Sequence, residues 1–113
     1  MFCKYLHYSP SYTVNDDSTQ VVFGFADAVS ASNEDKFCWK ITTTIVTGTT
    51  ATYSVYITVN GANIPVLNKF GNPVIVSDLT KNMLYKGFYG SSTPHIILTN
   101  IPKTYNAGCN NVL

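Results

Sequence analysis

Two segments near the middle of the chain alternate apolar and polar residues with a period of two, the pattern of a half-buried β-strand. Residues 37–46 (FCWKITTTIV) place Phe, Trp and Ile on one face and Lys and Thr on the other. Residues 52–60 (TYSVYITVN) repeat the pattern with Tyr, Val and Ile. Both segments are rich in β-branched and aromatic residues, which favour strands. Thr47–Ala51 between them contains one glycine and predicts a hairpin connection.

The second half of the chain continues with short apolar runs separated by turn-forming residues. These runs are Ile64–Leu67, Val74–Val76, Leu84–Tyr89 and Ile96–Leu98. Gly, Asn, Ser and Pro, which favour turns, dominate the segments between them. Ser77–Thr80 predicts one helical turn, which the Ser77 hydroxyl would cap. The whole pattern predicts an all-β fold, a single small antiparallel β-sandwich or barrel with at most one short helical turn near residues 77–81.

The remaining segments are polar. Residues 1–20 predict an extended N-terminal arm or an edge strand, and residues 103–113 a flexible C-terminal tail. Residues 26–36 predict a loop, because their Ser, Asn and Asp side chains compete with helical backbone bonding. A chain of 113 residues fits one domain, so we expect residues 1–113 to form a single unit.

Charged residues make up only 12% of the chain. The surface of a well-behaved designed monomer is about 25–35% charged. Thr, Ser, Asn and Tyr take the polar role here, and these side chains can be buried against a partner without the desolvation cost of a charge. The composition therefore favours a surface that is covered in an assembly, with a plain threonine-rich β protein as the alternative.

The basic residues are lysines without any arginine, scattered along the chain, and the net charge is +1. Recognition of phosphates and bases depends on the bidentate arginine fork or on a clustered basic surface. We therefore expect no nucleic-acid partner. The first eight residues lack the apolar core of a signal peptide, and no apolar run approaches the roughly 20 residues of a membrane helix. We expect synthesis in a cytoplasm and no membrane span.

Residues that could carry catalysis do not form a recognisable motif. His7 and His95 lie far apart, and His95 precedes an apolar run, which is typical of a strand end. Glu34–Asp35 and Asp16–Asp17 lie in polar, turn-like stretches, where acidic residues are common without catalysis. No nucleotide-binding, nucleophile-elbow or metal-ligand spacing occurs. The sequence predicts a non-enzymatic protein without catalytic residues, cofactor or metal.

The three cysteines, Cys3, Cys38 and Cys109, are odd in number and widely spaced, unlike those of a disulfide scaffold. Cys38 lies within a strand-like run and is expected to be a small buried apolar residue. We expect all three cysteines to be reduced thiols.

The tyrosines exceed what one small core needs. Tyrosine is enriched at subunit interfaces, and exposed aromatic rings also stack on sugars. Both roles stay open for these side chains, with the interface favoured because of the low charge. The candidate binding residues are Tyr5, Tyr8, Tyr12, Tyr56, Tyr85 and Tyr89.

Residues 60–98 resemble a unit of tail-fibre and other virion surface proteins of tailed bacteriophages, in which the pattern G-x-P-V…D-L…Y-x-x-x-Y-D-G…F-x-L recurs. Gly71–Val74, Asp78–Leu79 and Tyr85–Tyr89 carry the likeness here. The chain departs from the pattern at Tyr89–Ser91, which lacks the Asp, and at Ile96–Leu98, which replaces F-x-L. Residues before position 60 carry no such resemblance.

The resemblance implies a non-enzymatic structural component of a phage particle, a capsid decoration, head fibre or tail accessory protein. Such a protein would act through contacts in a symmetric homo-oligomer, with a trimer favoured, and through contacts with other virion proteins. Its location would be the virion, after synthesis in the host cytoplasm. The alternative is a carbohydrate-binding β-sandwich module that mediates adhesion to a host-surface glycan.

Overall fold

The computed structural model describes residues 6–101, and within them the regular structure is β-strand except for two short 3-10 turns. The predicted all-β fold is confirmed. Tyr5, Cys3, Cys109 and the tail over residues 103–113 lie outside the described residues. The strands are β1 (Leu6–Ser9), β2 (Ser11–Asn15), β3 (Gln20–Gly24), β4 (Lys36–Ile41), β5 (Ser54–Val59), β6 (Ala62–Asn68), β7 (Leu84–Gly90) and β8 (His95–Leu98).

The eight strands form one sheet in the order β1-β4-β7-β8-β6-β5-β3-β2. Its two edge strands, β1 and β2, are consecutive in the chain and are joined only by Pro10. A single N-terminal segment therefore brings the two edges together, and the sheet is nearly closed and barrel-like. Residues 6–15 thus take the edge-strand alternative of the sequence prediction.

The sheet is mixed, whereas the sequence predicted an antiparallel one. In the part of the chain that is described, β1–β4, β3–β5 and β6–β8 pair in parallel. The pairs β2–β3, β4–β7, β5–β6 and β7–β8 are antiparallel. Parallel neighbours need crossover connections. Alternation of apolar residues sets the face that a strand buries and carries no information on its neighbour, which is why the sequence missed the crossovers.

The predicted hairpin across Thr47–Ala51 is wrong. β4 pairs with β1 and β7, whereas β5 pairs with β3 and β6. β4 ends at Ile41, and Gly48–Thr50 forms a 3-10 turn. After Ile41 the next inward position of the alternation is Thr43, whose polar side chain adds little to the apolar interior, and the strand ends before it.

The second 3-10 turn, Val76–Asp78, begins one residue before the predicted helical segment Ser77–Thr80 and overlaps it. The Asp78 carboxylate caps this turn, since Asp78 Oδ2 accepts a hydrogen bond from the Ile75 N–H at 3.2 Å. The sequence predicted this role for the Ser77 hydroxyl. A carboxylate near the beginning of a helical turn also gains from the backbone dipoles.

The inward side chains of the strands form one apolar core around Trp39. The Trp39 ring contacts the rings of Phe23 and Tyr85 with centroid distances of 5.6 and 5.8 Å. Its Nε1–H donates to the Ser9 hydroxyl at 2.7 Å, and both residues are buried. This bond ties the middle of the core to the corner at Pro10, where the barrel closes. The largest fully buried side chains are Trp39, Tyr85, Phe23, Phe37, Ile41, Ile57, Ile96 and Leu98.

Cys38 is disulfide-bonded, so the expectation of a reduced thiol is wrong for this residue. Its neighbours Phe37 and Trp39 face the core, which places Cys38 on the outer face of β4, although it is only 1% exposed. The burial that the sequence predicted is confirmed.

Candidate functional site

A loop over residues 25–35 lies against one end of the barrel and is held there by the turn between β5 and β6. The Asn60 side chain accepts the Ala31 N–H at 3.0 Å and donates to the Ala31 carbonyl at 2.9 Å. The Asn60 N–H donates to the Val29 carbonyl at 2.9 Å. Asn60 and Gly61 have φ of 54° and 78°, as a type I′ hairpin turn requires. The loop that the sequence predicted over residues 26–36 is confirmed, except that Lys36 already begins β4.

Within this loop, a tight turn from Ser32 to Asp35 presents Asn33 and Glu34. The Asp35 N–H donates to the Ser32 carbonyl at 3.0 Å, and Asp35 Oδ2 accepts the Ser32 N–H at 2.8 Å. Glu34 has a φ of 69°, a conformation that Gly or Asn adopts more easily. Holding another residue there costs about 1 kcal/mol or more. Backbone bonds with Tyr89 (Glu34 N–H to Tyr89 O, 2.7 Å; Tyr89 N–H to Asp35 O, 2.9 Å) fix the turn beside β7.

An open groove of about 390 Å³ lies between this turn and the outer surface of β7 and β8. Its volume is within the range of about 300–1,000 Å³ that is usual for small-ligand sites. The groove combines an exposed aromatic ring, an aliphatic side chain and three polar side chains. Its lining residues are Asn33, Glu34, Phe88, Tyr89, Gly90, His95 and Ile97.

The His95 imidazole lies against the backbone of Gly90. A Cβ atom at Gly90 would stand 2.8 Å from His95 Nε2 and 3.1 Å from Nδ1, so the ring takes this position because Gly90 has no side chain. His95 Nδ1 contacts the Thr93 carbonyl oxygen. In the tautomer that donates from Nδ1 to this carbonyl, Nε2 is a hydrogen-bond acceptor.

The outer surface of β2, β3, β5 and β6, unlike that of β4 and β7, carries no charged residue. We call it the uncharged face. Tyr56 lies at its centre, opposite Val22 on β3 and Pro65 on β6. By contrast, the outer surface of β4 and β7 carries three lysines, Lys36, Lys40 and Lys86. The uncharged face consists of Ser11, Thr13, Asn15, Gln20, Val22, Gly24, Ser54, Tyr56, Thr58, Asn63, Pro65 and Leu67.

The structure buries two of the described candidate tyrosines, leaves two at least partly exposed on the outer surface, and packs Tyr12 against the core. Tyr85 and Tyr89 are 0% and 6% exposed, so they are core residues and not surface anchors. They occupy alternate positions of β7 that face inward, which a count of tyrosines cannot reveal. Tyr8 is 50% exposed, on the lysine-bearing side of the barrel, and Tyr56 is partly exposed on the uncharged face. Tyr12 packs on Phe23 with a centroid distance of 5.4 Å.

His7, the other histidine of the chain, packs in an aromatic cluster. Its ring stacks on Phe37 with a centroid distance of 5.1 Å and meets the edge of Phe25 at 5.8 Å. Burial lowers the pKa of His7 below its ordinary value of 6.5, because the cluster disfavours the charged imidazolium. His7 therefore contributes to the core as a neutral aromatic ring.

We expect the stability of the protein to fall when the pH drops below about 6.5. The pKa of His7 is lower in the folded state than in the unfolded state, so the unfolded state binds the proton first. The loss is confined to the window between 6.5 and the lowered pKa of the folded state. Thermal unfolding of the wild type and of His7→Gln at pH 7.5 and pH 5.0 measures it. A midpoint that depends on pH equally in both proteins would show that His7 does not contribute to the pH dependence of stability.

The groove residues were not predicted as a site from the sequence. Glu34 was interpreted as a turn acid and His95 as a strand-end residue, and both positions are correct. The two residues are far apart in the chain, and only the pairing of β7 with β8 and the bonds between Tyr89 and the Ser32–Asp35 turn bring them together. The positive φ of Glu34 conflicts with its residue type, but this conflict is visible only in the structure.

Comparison with known proteins finds no matching family model, no similar curated protein and no similar solved structure. The roles of the groove and of the uncharged face are therefore inferred from their own geometry and chemistry. Residues 6–101 contain no helix that is long and apolar enough to cross a membrane. In the same range, no three His, Cys, Asp or Glu side chains are grouped as metal ligands would be.

Proposed function

We propose that this chain is a non-enzymatic structural module of a virion surface, which works through protein–protein contacts in a symmetric homo-oligomer. The observation that carries the proposal is the uncharged face, on which four neighbouring strands present only neutral side chains. Interface cores are depleted of charged residues relative to the rest of a protein surface. The occupant that we propose for this face is a second copy of the chain.

Tyr56 is the proposed anchor of the contact. It lies at the centre of the face, and Val22 and Pro65 flank it on the adjacent strands. Tyrosine at the centre of an interface often contributes much of the binding energy, because its ring is large and its hydroxyl can find a partner. The Thr13 hydroxyl next to this cluster can hydrogen-bond across the contact without the cost of burying a charge. The Thr58 hydroxyl donates to Asn63 Oδ1 at 2.8 Å and can accept a hydrogen bond from the partner.

Two further observations support a virion role. Residues 60–98, which resemble phage fibre units, form β6 to β8 with the Val76–Asp78 turn between them. The disulfide of Cys38 also suits a protein that works in an oxidising environment, as a particle does after it leaves the cell. A trimer is the oligomer that the resemblance implies. It would use a heterologous contact, in which the uncharged face meets a different surface of the next copy. We place that second surface away from the lysine-bearing side, because interface cores are depleted of charged residues.

A charge at the centre of the uncharged face is expected to separate the subunits. In Tyr56→Glu, a carboxylate would have to lose its water in the contact, so the affinity between copies should fall at least tenfold. The matched control is Tyr8→Glu, which makes the same exchange on the lysine-bearing side and should leave the oligomer intact. Sedimentation velocity of both variants and the wild type measures this. Equal dissociation in both variants, or an unchanged oligomer in Tyr56→Glu, would contradict the proposal.

A further inference from the structure

We propose that the groove beside β7 and β8 binds one pyranose ring of a carbohydrate. The inference goes beyond the proposed function and does not depend on it. The groove is formed by Phe88, His95 and the turn at Asn33–Glu34. None of these residues belongs to the uncharged face, so the copy that covers that face does not fill the groove.

Phe88 supplies the platform on which a sugar ring would stack. It lies on the outer face of β7 and is 42% exposed, a large fraction for a phenylalanine that is fixed within a strand. Ile97 is directly opposite Phe88 on β8 and extends the apolar floor. The C–H groups on one face of a pyranose ring match such a floor, because burying them removes apolar surface from water.

The polar side chains around this floor favour a polyol over other small ligands. The Glu34 carboxylate and His95 Nε2 can each accept a hydrogen bond. The Asn33 amide oxygen already accepts the Ser91 N–H at 3.0 Å, which directs the amide NH₂ group as a donor. Sugar hydroxyls both donate and accept, so neighbouring hydroxyls can satisfy all three groups. A cation would satisfy the two acceptors and leave the amide donor without a partner.

The backbone of Glu34 allows its side chain to be removed without added strain. Glu34 adopts a φ of 69° at a turn position where glycine would be less strained. Thr19, in the turn between β2 and β3, has a φ of 51° and lies outside the groove, so it serves as a matched position.

The test is a titration of the full-length, disulfide-bonded protein with methyl glycosides of glucose, galactose, mannose and N-acetylglucosamine, followed by amide NMR shifts. We expect at least one glycoside to shift the amide signals of Glu34, Gly90 and His95. Glu34→Gly should weaken that binding at least tenfold while the midpoint of thermal unfolding stays equal or rises. Thr19→Gly should also keep or raise the midpoint and leave the binding unchanged.

A second variant tests the position of the imidazole. In Gly90→Ala, the new methyl group would occupy the space of the His95 ring, so the ring must move and the same glycoside should bind more weakly. The inference is overturned if no glycoside shifts the groove amides, or if tetramethylammonium shifts them and no glycoside does. It is also overturned if Glu34→Gly and Thr19→Gly bind the sugar as the wild type does. The proposed homo-oligomer is tested separately, by the masses of the Tyr56→Glu and Tyr8→Glu variants. Sugar binding and oligomer formation can therefore fail independently.

Discussion

Gly87→Ala is expected to lower the free energy of unfolding by about 3 kcal/mol or more, which would leave a domain of this size with little stability. Gly87 faces the barrel interior on β7, opposite Leu98 on β8 and Phe37 on β4. A Cβ atom at this position would overlap the Ile97 carbonyl oxygen and stand 2.7 Å from the Ile97 carbonyl carbon. The obstacle is backbone and cannot rotate away, so β7 and β8 would have to separate.

The matched control for this prediction is Gly24→Ala on β3. A Cβ atom at Gly24 would meet the Ser11 hydroxyl oxygen at 3.8 Å, an ordinary contact that displaces nothing. Urea unfolding of the three proteins, followed by tryptophan fluorescence, gives the stabilities. A midpoint for Gly87→Ala that matches that of Gly24→Ala would mean that β7 and β8 tolerate a side chain between them, and the close approach of the two strands would be wrong.

Trp39→Ala is expected to lower the free energy of unfolding by about 3–5 kcal/mol. The variant removes a side chain that is 0% exposed and leaves a cavity between the rings of Phe23 and Tyr85. It also removes the bond from Trp39 Nε1–H to the Ser9 hydroxyl at the corner where the barrel closes. Ser9→Ala keeps the indole but leaves a buried N–H without its acceptor, for which we expect a loss of about 1–3 kcal/mol.

A double-mutant cycle separates packing from the hydrogen bond. Once Trp39 is replaced by Phe, the loss on Ser9→Ala should nearly vanish, because the indole N–H is no longer present. Urea unfolding followed by circular dichroism is the appropriate measurement for these variants, since the tryptophan itself is changed. Additive losses in the double variant would show that Ser9 and Trp39 do not interact, and the bond at the corner would be contradicted.

The sequence predicted which residues face the core better than it predicted which strands are neighbours. The alternation at Val55, Ile57 and Val59 correctly identified the buried face of β5. The same period continued in the sequence past Ile41, but the threonines that follow lie outside β4. The turn at Asn60–Gly61 was not predicted, although Asn-Gly is the strongest short signal for a type I′ hairpin turn.

The two surfaces to which we assign functions differ in how far the sequence could predict them. Low charge pointed to a covered surface, and the structure gathers the uncharged outward residues on four neighbouring strands. For the groove, no local pattern connects Glu34 with His95, because their proximity arises from pairings between distant segments. Tyr85 and Tyr89 show the same limit, since their burial follows from the side of β7 on which they fall.

The measurement that tests the proposed function most directly is the mass of the full chain in solution. Light scattering coupled to size-exclusion chromatography, over at least a tenfold range of protein concentration and without reductant, gives this mass. We expect a closed oligomer at a fixed multiple of the 12.4 kDa chain, three copies if the resemblance to phage fibre units holds. A mass of one chain at every concentration would contradict the proposal that a second copy covers the uncharged face.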